Sequence, residues 1–477
     1  MAQVFFDISD IVTYIRHHSS ISGIQRATVM IIAEAVRVQG PENVYLSFLR
    51  PGEDTHLCCP AAELIETLER FDTRALGAAL RLKTKAANTP TDPSFLYRYR
   101  NKPLKLAYHR FRLARALRVG DTRYLLRRGI DPASVGAPSA PPLQSAAPRL
   151  RPLSEVARPG DTLCGLGAIW GMPDLVTAFR AAKCLGLKVL VMVHDLIPMK
   201  LPEMADFKAA RSYYDWLSET PDYCAGYLAN SASTARDLKE FLSVLGADLP
   251  IHVTPLAQAQ LGVDPTPKLN GGLPAVHATM LARSRAAGAV STTVREAALL
   301  PYVLCVGTIE PRKNLWRLSQ IWAHMARDPV LELPRLVLAG KRGWLTEEFL
   351  GMLETTGGMG GWVSFIETPS DAELAYLYRN CLFTATVSLY EGWGLPIGEG
   401  LSYGKTGVVS QTSSMPEVGG DMVVYCDPAS LQSIEAAVLR CLDVSERQTL
   451  EARIAQTTLR SWDDVGRDVM AALEVSS

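Results

Sequence analysis

The chain has 477 residues, room for two or three domains at the usual ~150 residues each. Hydrophobic residues make up 48% and charged residues 21%, the balance of an ordinary globular protein. Lys plus Arg and Asp plus Glu both number 49, which excludes a chain that binds nucleic acid through its overall charge.

No apolar run approaches the ~20 residues that span a bilayer. The opening MAQVFFDISDIVTYI has no basic head or cleavage site, so no signal peptide is expected. Nine cysteines stand at 58, 59, 164, 184, 224, 305, 381, 426 and 441, with no C-x-x-C pair. Neither a disulfide framework nor a zinc cluster follows from that spacing; a reducing, cytoplasmic compartment does.

In chain order, the pattern predicts a strand over 4–8, a helix over 23–36 and a strand over 44–49. The stretch 51–160 then breaks the rhythm. It opens with a short amphipathic helix over 61–70. Between Arg70 and Arg128 sixteen Lys or Arg face three Asp, with Phe95, Tyr97, Tyr99, Tyr108, Phe111 and Tyr124 among them. The segment 132–159 is rich in Pro, Ala and Ser and reads as irregular. Alternation resumes with DTLCGLG, a helix over 173–184 and the buried run KVLVMVHD, the pattern of a central parallel strand. A strand over 223–230, a helix capped by Ser231 or Ser233, and the strand IHVTPLA follow.

Residues 262–297 read as a connection. A second series begins at YVLCVGT (302–308), then a helix after Asn314, RLVLAG (335–340), WVSFIE (362–367), a helix over 371–380, and CLFTATVS (381–388). A helix over 396–403, TGVVSQ, MVVYCD and a final helix pair over 431–474 complete it. The fold class is α/β: two Rossmann-like parallel-sheet domains facing a cleft, with the basic and Pro/Ala-rich insertion in the first. The expected domains are 1–285, 286–460, and a last helix, 461–477, packing back on the first.

Ligands of open α/β sheets bind beyond the carboxyl ends of the strands. The loop Gly307 to Asn314 puts Arg312 and Lys313 there, a guanidinium fork beside a point charge, which suits a diphosphate. Gly340 and Lys341 end another strand. Glu391 closes a strand-to-helix turn with Gly392, Trp393, Gly394 and Leu395, then Pro396 at the helix start, so that amides are free for hydroxyls or phosphate. Glu399 lies in the first turn of that helix, and a pair of carboxylates suits a polyol. In the first half, His194 and Asp195 end the most apolar strand, and Ser22 and Gly23 sit on the turn after the first strand.

These segments carry a resemblance. EGWGLPIGE (391–399), with seven residues between its two glutamates, GTIEPRKN (307–314), LAGKRGW (338–344) and SSMPEVGGD (413–421) resemble the blocks of the GT-B retaining glycosyltransferases, the large nucleotide-sugar family 4 (group 1) with many bacterial mannosyltransferases. SGIQRATV, VHDLIP and NSAST resemble it more weakly. Gly400 and Gly407 depart from the family's usual Ala and Pro without touching a polar contact.

The resemblance implies a hexosyltransferase whose Glu391 holds donor-sugar hydroxyls, whose Glu399 binds the ribose, and whose Arg312 and Lys313 neutralise the leaving diphosphate. Gly307, Gly340, Lys341, Ser22, Gly23 and the amides from Gly392 to Leu395 would help hold the nucleotide. His194 would touch the sugar or phosphate, and Asp195 would orient His194 or an acceptor hydroxyl. GDP-mannose is the favoured donor. A saccharide or lipid-linked saccharide of surface polysaccharide, such as lipopolysaccharide, is the implied acceptor. A nucleotide-sugar epimerase or phosphorylase of the same fold, or a glycan-binding scaffold without catalysis, are the alternatives.

No D-x-D sequence occurs, so neither metal nor cofactor is expected. The basic, aromatic stretch Arg70 to Arg128 is either a solvated element packing on the protein or a peripheral contact with an anionic inner-membrane face.

Overall fold

The computed structural model describes all residues except 1, 17–22, 51, 54, 70–72, 83–102, 122, 125–147, 259–289 and 476–477. The first sheet holds β1 (Val4–Asp7), β2 (Val44–Leu49), β3 (His56–Pro60), β4 (Arg151–Pro152), β5 (Thr162–Gly165), β6 (Lys188–Val193), β7 (Gly226–Ala229) and β8 (Ile251–Val253). Their order is β4-β3-β2-β1-β5-β6-β7-β8. The second holds β9 (Tyr302–Val306), β10 (Arg335–Gly340), β11 (Val363–Glu367), β12 (Thr384–Thr386), β13 (Gly407–Ser410) and β14 (Val424–Cys426), in the order β11-β10-β9-β12-β13-β14. Every pairing is parallel except β2 with β3 and β3 with β4. This is the two-domain, parallel-sheet architecture expected from the sequence.

Within β1, β6 and β10 the runs 4–6, 189–193 and 336–340 are apolar throughout because helices cover both faces of each sheet. Each sheet reverses its building direction once, at β1 between β2 and β5, and at β9 between β10 and β12. Crevices at such switch points are where these folds bind ligands.

The antiparallel strands are a departure from the sequence reading. The stretch 51–160 opens with β3 and closes near β4, so both ends belong to the sheet. Two short strands flanked by proline and polar residues leave too little periodicity to be read. Among its described residues the stretch carries the helix Pro103–Val119. Much of the stretch, with the expected boundary at 285/286, lies outside the described residues.

The helices Phe207–Glu219 and Glu347–Thr355 were not expected, and the final pair is three: Leu431–Leu442, Val444–Gln456 and Trp462–Val475. Of the two serines offered as caps, Ser231 caps the helix Ala232–Val244, accepting from the Thr234 amide at 3.0 Å. The last helix lies against the helix Gly23–Gln39. Val465, Val469 and Leu473 join Ile31, Ile32 and Ala35 in one core, and Gly466 leaves no room for a Cβ beside Glu34. All nine cysteines are free and all but Cys184 are buried.

Candidate active site between the two sheets

The loops after β9 and β12 meet at the switch point of the second sheet. Pro311–Lys313 forms one 3-10 turn, which aims consecutive cations at the loop opposite. Arg312 Nη1 donates to Glu391 Oε2 at 2.7 Å and to the Tyr390 carbonyl at 2.8 Å, and Arg312 Nη2 lies 2.7 Å from Glu310 Oε1. Lys313 Nζ donates to Glu391 Oε1 at 2.5 Å, which also accepts from Ser388 Oγ at 2.6 Å. Beneath Lys313 a small pocket runs between the strand ends, lined by Cys305, Gly307, Thr308, Thr386 and Ser388.

The electrostatics are those of a crowded, buried ion set. Burial opposes ionisation of Glu391, yet Arg312 and Lys313 outweigh it and hold the carboxyl down to about 2. Glu310 and Asp195 are raised, each by burial first, with Arg312 pulling the other way. Burial acts against the charge on Arg312, but the three surrounding carboxylates keep its pKa above the ordinary value. Two cations thus stand among three carboxylates, two of which lean towards the protonated form.

The glycines of the Glu391 loop are required for two reasons, the opposite domain at Gly392 and the backbone turn at Gly394. A Cβ on Gly392 would overlap the carbonyl oxygen of His194, and Gly394 turns the chain at φ 103 into the helix Leu395–Ser402. The amides of Gly392, Trp393 and Leu395 form no hydrogen bond among the described residues. The Trp393 indole is used elsewhere: buried, it donates to the Ala257 carbonyl at 3.2 Å, so only its amide is left for a ligand. Glu399 accepts from the Tyr378 hydroxyl at 2.6 Å, and burial raises its pKa against that bond. Gly340 packs on the Gly307 carbonyl with no space for a side chain. Lys341 Nζ lies 3.5 Å from the Tyr14 hydroxyl of the first domain.

From the first domain, His194 and Asp195 reach the same cleft. His194 Nε2 donates to the Leu166 carbonyl at 2.7 Å, and burial lowers its pKa. A neutral ring that spends its N–H on Leu166 offers only an acceptor at Nδ1. His194 can therefore take a sugar hydroxyl but not a phosphate oxygen, which narrows the sequence expectation. Asp195 accepts from the Ile197 amide at 3.0 Å and faces Arg312. Gly23 starts its helix against Leu395, while Ser22 lies outside the described residues. Among the described residues no cluster of His, Cys, Asp and Glu is arranged to hold a metal ion.

Three residues here escaped the sequence reading. Glu310 flanks Arg312, Ser388 supports Glu391, and Glu417 bridges the domains. Glu417 lies in a segment the sequence singled out, but nothing in the sequence says that its partner is a helix start in the other half.

Residues 295–457 match the family described as glycosyl transferases group 1. Over 165 residues the chain is 38% identical to the O-antigen chain mannosyltransferase B of Escherichia coli, covering 34% of this chain and 43% of that protein. It is 24% identical over 281 residues to the serotype-specific mannosyltransferase WbdA of Escherichia coli, covering 58% of this chain and 32% of WbdA. The chain thus spans less than half of the length of these relatives. Among solved structures, Anabaena HepE with UDP and glucose superposes with a TM-score of 0.55 at 12% identity, covering 100% of both chains. The Escherichia coli trehalose-6-phosphate protein bound with UDP-2-fluoro glucose gives 0.55 at 13% identity, covering 99% of both. The second sheet thus lies inside the region that matches the group 1 glycosyl transferases, and the two sheets together have the GT-B fold of these solved structures.

Proposed function

We propose that the protein is a retaining hexosyltransferase that takes its sugar from a nucleoside diphosphate sugar, GDP-mannose in the first instance, and passes it to a saccharide acceptor of surface polysaccharide. The observation that carries this reading is the buried set Arg312, Lys313 and Glu391 at the switch point of the second sheet. Both cations are neutralised by the very carboxylate that, by resemblance, holds the sugar. A diphosphate entering the pocket competes for Lys313 and Arg312 and releases Glu391 towards the donor's hydroxyls.

The chemistry follows from where charge develops. The bond between the anomeric carbon and the phosphate oxygen breaks, and negative charge grows on the leaving diphosphate. Preorganised cations stabilise that state more than the ground state. The acceptor oxygen bonds to the anomeric carbon from the face the diphosphate leaves, and its proton passes to the departing phosphate oxygen. Configuration is retained. Glu399, with one oxygen on Tyr378, offers the other to the ribose. The mannose assignment is supported by the names of the bacterial relatives.

Among the described residues no helix is long and apolar enough to cross a membrane. We place the enzyme in the cytoplasm, with the basic insertion meeting the anionic inner leaflet. Thermal shift with GDP, UDP, dTDP and ADP, followed by turnover of the matching sugars, tests the donor. Stabilisation by GDP and release of GDP from GDP-mannose are expected; selective stabilisation by another nucleotide would replace the donor.

A further inference from the structure

The two sheets present equivalent crevices, and the proposed function occupies only one of them. In the first sheet the switch point lies between the loops that follow β1 and β5. One side chain fills it. Asp10, three residues beyond β1, is 5% exposed and lays its carboxylate flat against Gly167, two residues beyond β5. Oδ2 accepts from the Ala168 amide at 3.1 Å and from Gln25 Nε2 at 3.4 Å. Oδ1 is buried and accepts no hydrogen bond among the described residues.

A buried carboxylate oxygen without a donor is costly to a fold. Burial pushes Asp10 up to about 6, against the pull of the Ala168 amide, and the neighbouring Asp7 adds to the rise. The groups facing it are Asp7 on β1, itself bonded to Ser9 and His56, the Ile11 amide on its own helix, Gln25 from the helix Gly23–Gln39, and the loop after β5. Among the described residues none of them completes a hydrogen bond to Oδ1. A structural role would be served better by a neutral amide.

Both sides of Asp10 lead to the donor loop. Gly23, two residues before Gln25, packs on Leu395. Leu166, next to Gly167, holds His194, whose own carbonyl lies under Gly392. Strands β1, β5 and β6 are neighbours, so the segments that carry Asp10 and Asp195 flank the loop after β5 on either side. We propose that Asp10 is the acceptor-positioning carboxylate of the transfer: its Oδ1 accepts a hydrogen bond from a hydroxyl of the acceptor saccharide as the cleft closes. Gly167 is glycine so that the carboxylate can lie there. The assignment rests on the glycosyl-transfer reading above.

The test uses Asp10→Asn and Gly167→Ala in the full chain. Nucleoside diphosphate affinity is measured by calorimetry. Acceptor kinetics use methyl α-mannoside, α-glucoside, α-galactoside and α-rhamnoside as probes. Asp10→Asn is expected to keep nucleotide affinity within about twofold while raising the acceptor KM by about tenfold or more, the worth of one hydrogen bond to a charged group. The wild-type acceptor kcat/KM should fall as pH drops through about 6, because protonation removes the charge that strengthens the bond to the acceptor hydroxyl, and Asp10→Asn should lack that limb. Gly167→Ala should reproduce the acceptor defect. An unchanged acceptor KM in Asp10→Asn, or a loss of nucleotide affinity as large as the change in acceptor KM, would overturn the assignment. A wild-type protein that binds none of the four nucleoside diphosphates would overturn the glycosyl-transfer reading, and this assignment with it.

Discussion

Glu417 of the second domain caps a helix of the first. Its Oε2 accepts from the Ala232 amide at 2.7 Å and its Oε1 from the Ser233 amide at 2.8 Å, at the start of the helix Ala232–Val244. An anion at a helix N-terminus meets both free amides and the favourable end of the helix field. Ser231 caps the same turn from within, so the helix does not need Glu417 to form. The bond is better understood as a latch that holds the two domains together, alongside Thr234 Oγ1, 3.4 Å from the Gly392 carbonyl. Glu417→Gln should loosen that latch while leaving each domain folded. Its worth at an exposed site is about 1 kcal/mol. A larger radius of gyration by solution scattering, with little change in circular dichroism, is the expected outcome; an unchanged radius would show that other contacts hold the cleft.

Arg312 is the cation that three buried carboxylates share, so its removal has a pH signature. Arg312→Ala strands Glu391, Glu310 and Asp195, and breaking such a set costs about 3–5 kcal/mol at neutral pH. With the cation gone, Glu310 and Asp195, already raised by burial, lose the charge that pulls them down and rise further above their unfolded values, while Lys313 still holds Glu391. Stability should then increase as pH falls from 8 towards 5, because the folded state takes up more protons there. The wild type should behave oppositely at Glu391. That carboxyl is held near 2, so its contribution is present above its ordinary value of 4.5 and is lost as pH falls towards 2. Urea denaturation at several pH values separates the two profiles. Lys313→Ala, which leaves Arg312 on Glu391, should fold well and lose roughly tenfold or more in nucleoside diphosphate affinity.

The two glutamates of EGWGLPIGE should part company under mutation. Glu391→Gln would remove the proposed partner of the sugar but also free Lys313 and Arg312, so transfer should fall by about a hundredfold while bare nucleoside diphosphate binds as well or better. Glu399→Gln would remove the proposed ribose partner, so bare nucleotide affinity should fall by about tenfold. Calorimetry on both variants decides it: equal losses of nucleotide affinity would mean that the roles are not divided in this way.

The second domain was legible because its strands are buried on both faces and its loops are short. Runs such as RLVLAG and the glutamates of the Glu391 loop stand close to their partners in sequence or in adjacent strands. The antiparallel strands His56–Pro60 and Arg151–Pro152 were not, since they pair with each other across more than ninety residues and carry proline and charge where periodicity would show. The ion set was legible in its members but not in its pairing. Arg312 and Lys313 were read as awaiting phosphate, whereas the structure closes them on Glu391. The roles of Asp10 and Glu417 were invisible for a common reason, although Glu417 stands in a quoted segment: a carboxylate reveals its role through a partner that lies far off in the chain, Ala168 for one and Ala232 for the other.

The helix Pro103–Val119 carries the last prediction. Leu106, Leu113 and Ala116 turn inward, while Leu104 is 87% and Phe111 68% exposed. Leu104, Tyr108, Phe111, Arg115 and Val119 recur at helical spacing on one face, and Lys105, Arg110, Arg112 and Arg118 stand exposed around it. The helix has no acidic residue. Large apolar side chains left in water beside a ring of cations suit an anionic bilayer surface, where the rings enter the headgroup level and the cations meet phosphate. Solvated packing would explain the cations but not the exposed Leu104 and Phe111. Flotation with vesicles containing phosphatidylglycerol should therefore recover the protein at low salt and lose most of it at 0.5 M salt, where the Debye length falls to about 4 Å. Neutral vesicles should recover little. Leu104→Gln with Phe111→Gln should weaken recovery at low salt without lowering the thermal midpoint, because neither side chain packs in the core. Equal recovery of that double variant and the wild type, or recovery on neutral vesicles alone, would return the helix to a packing role.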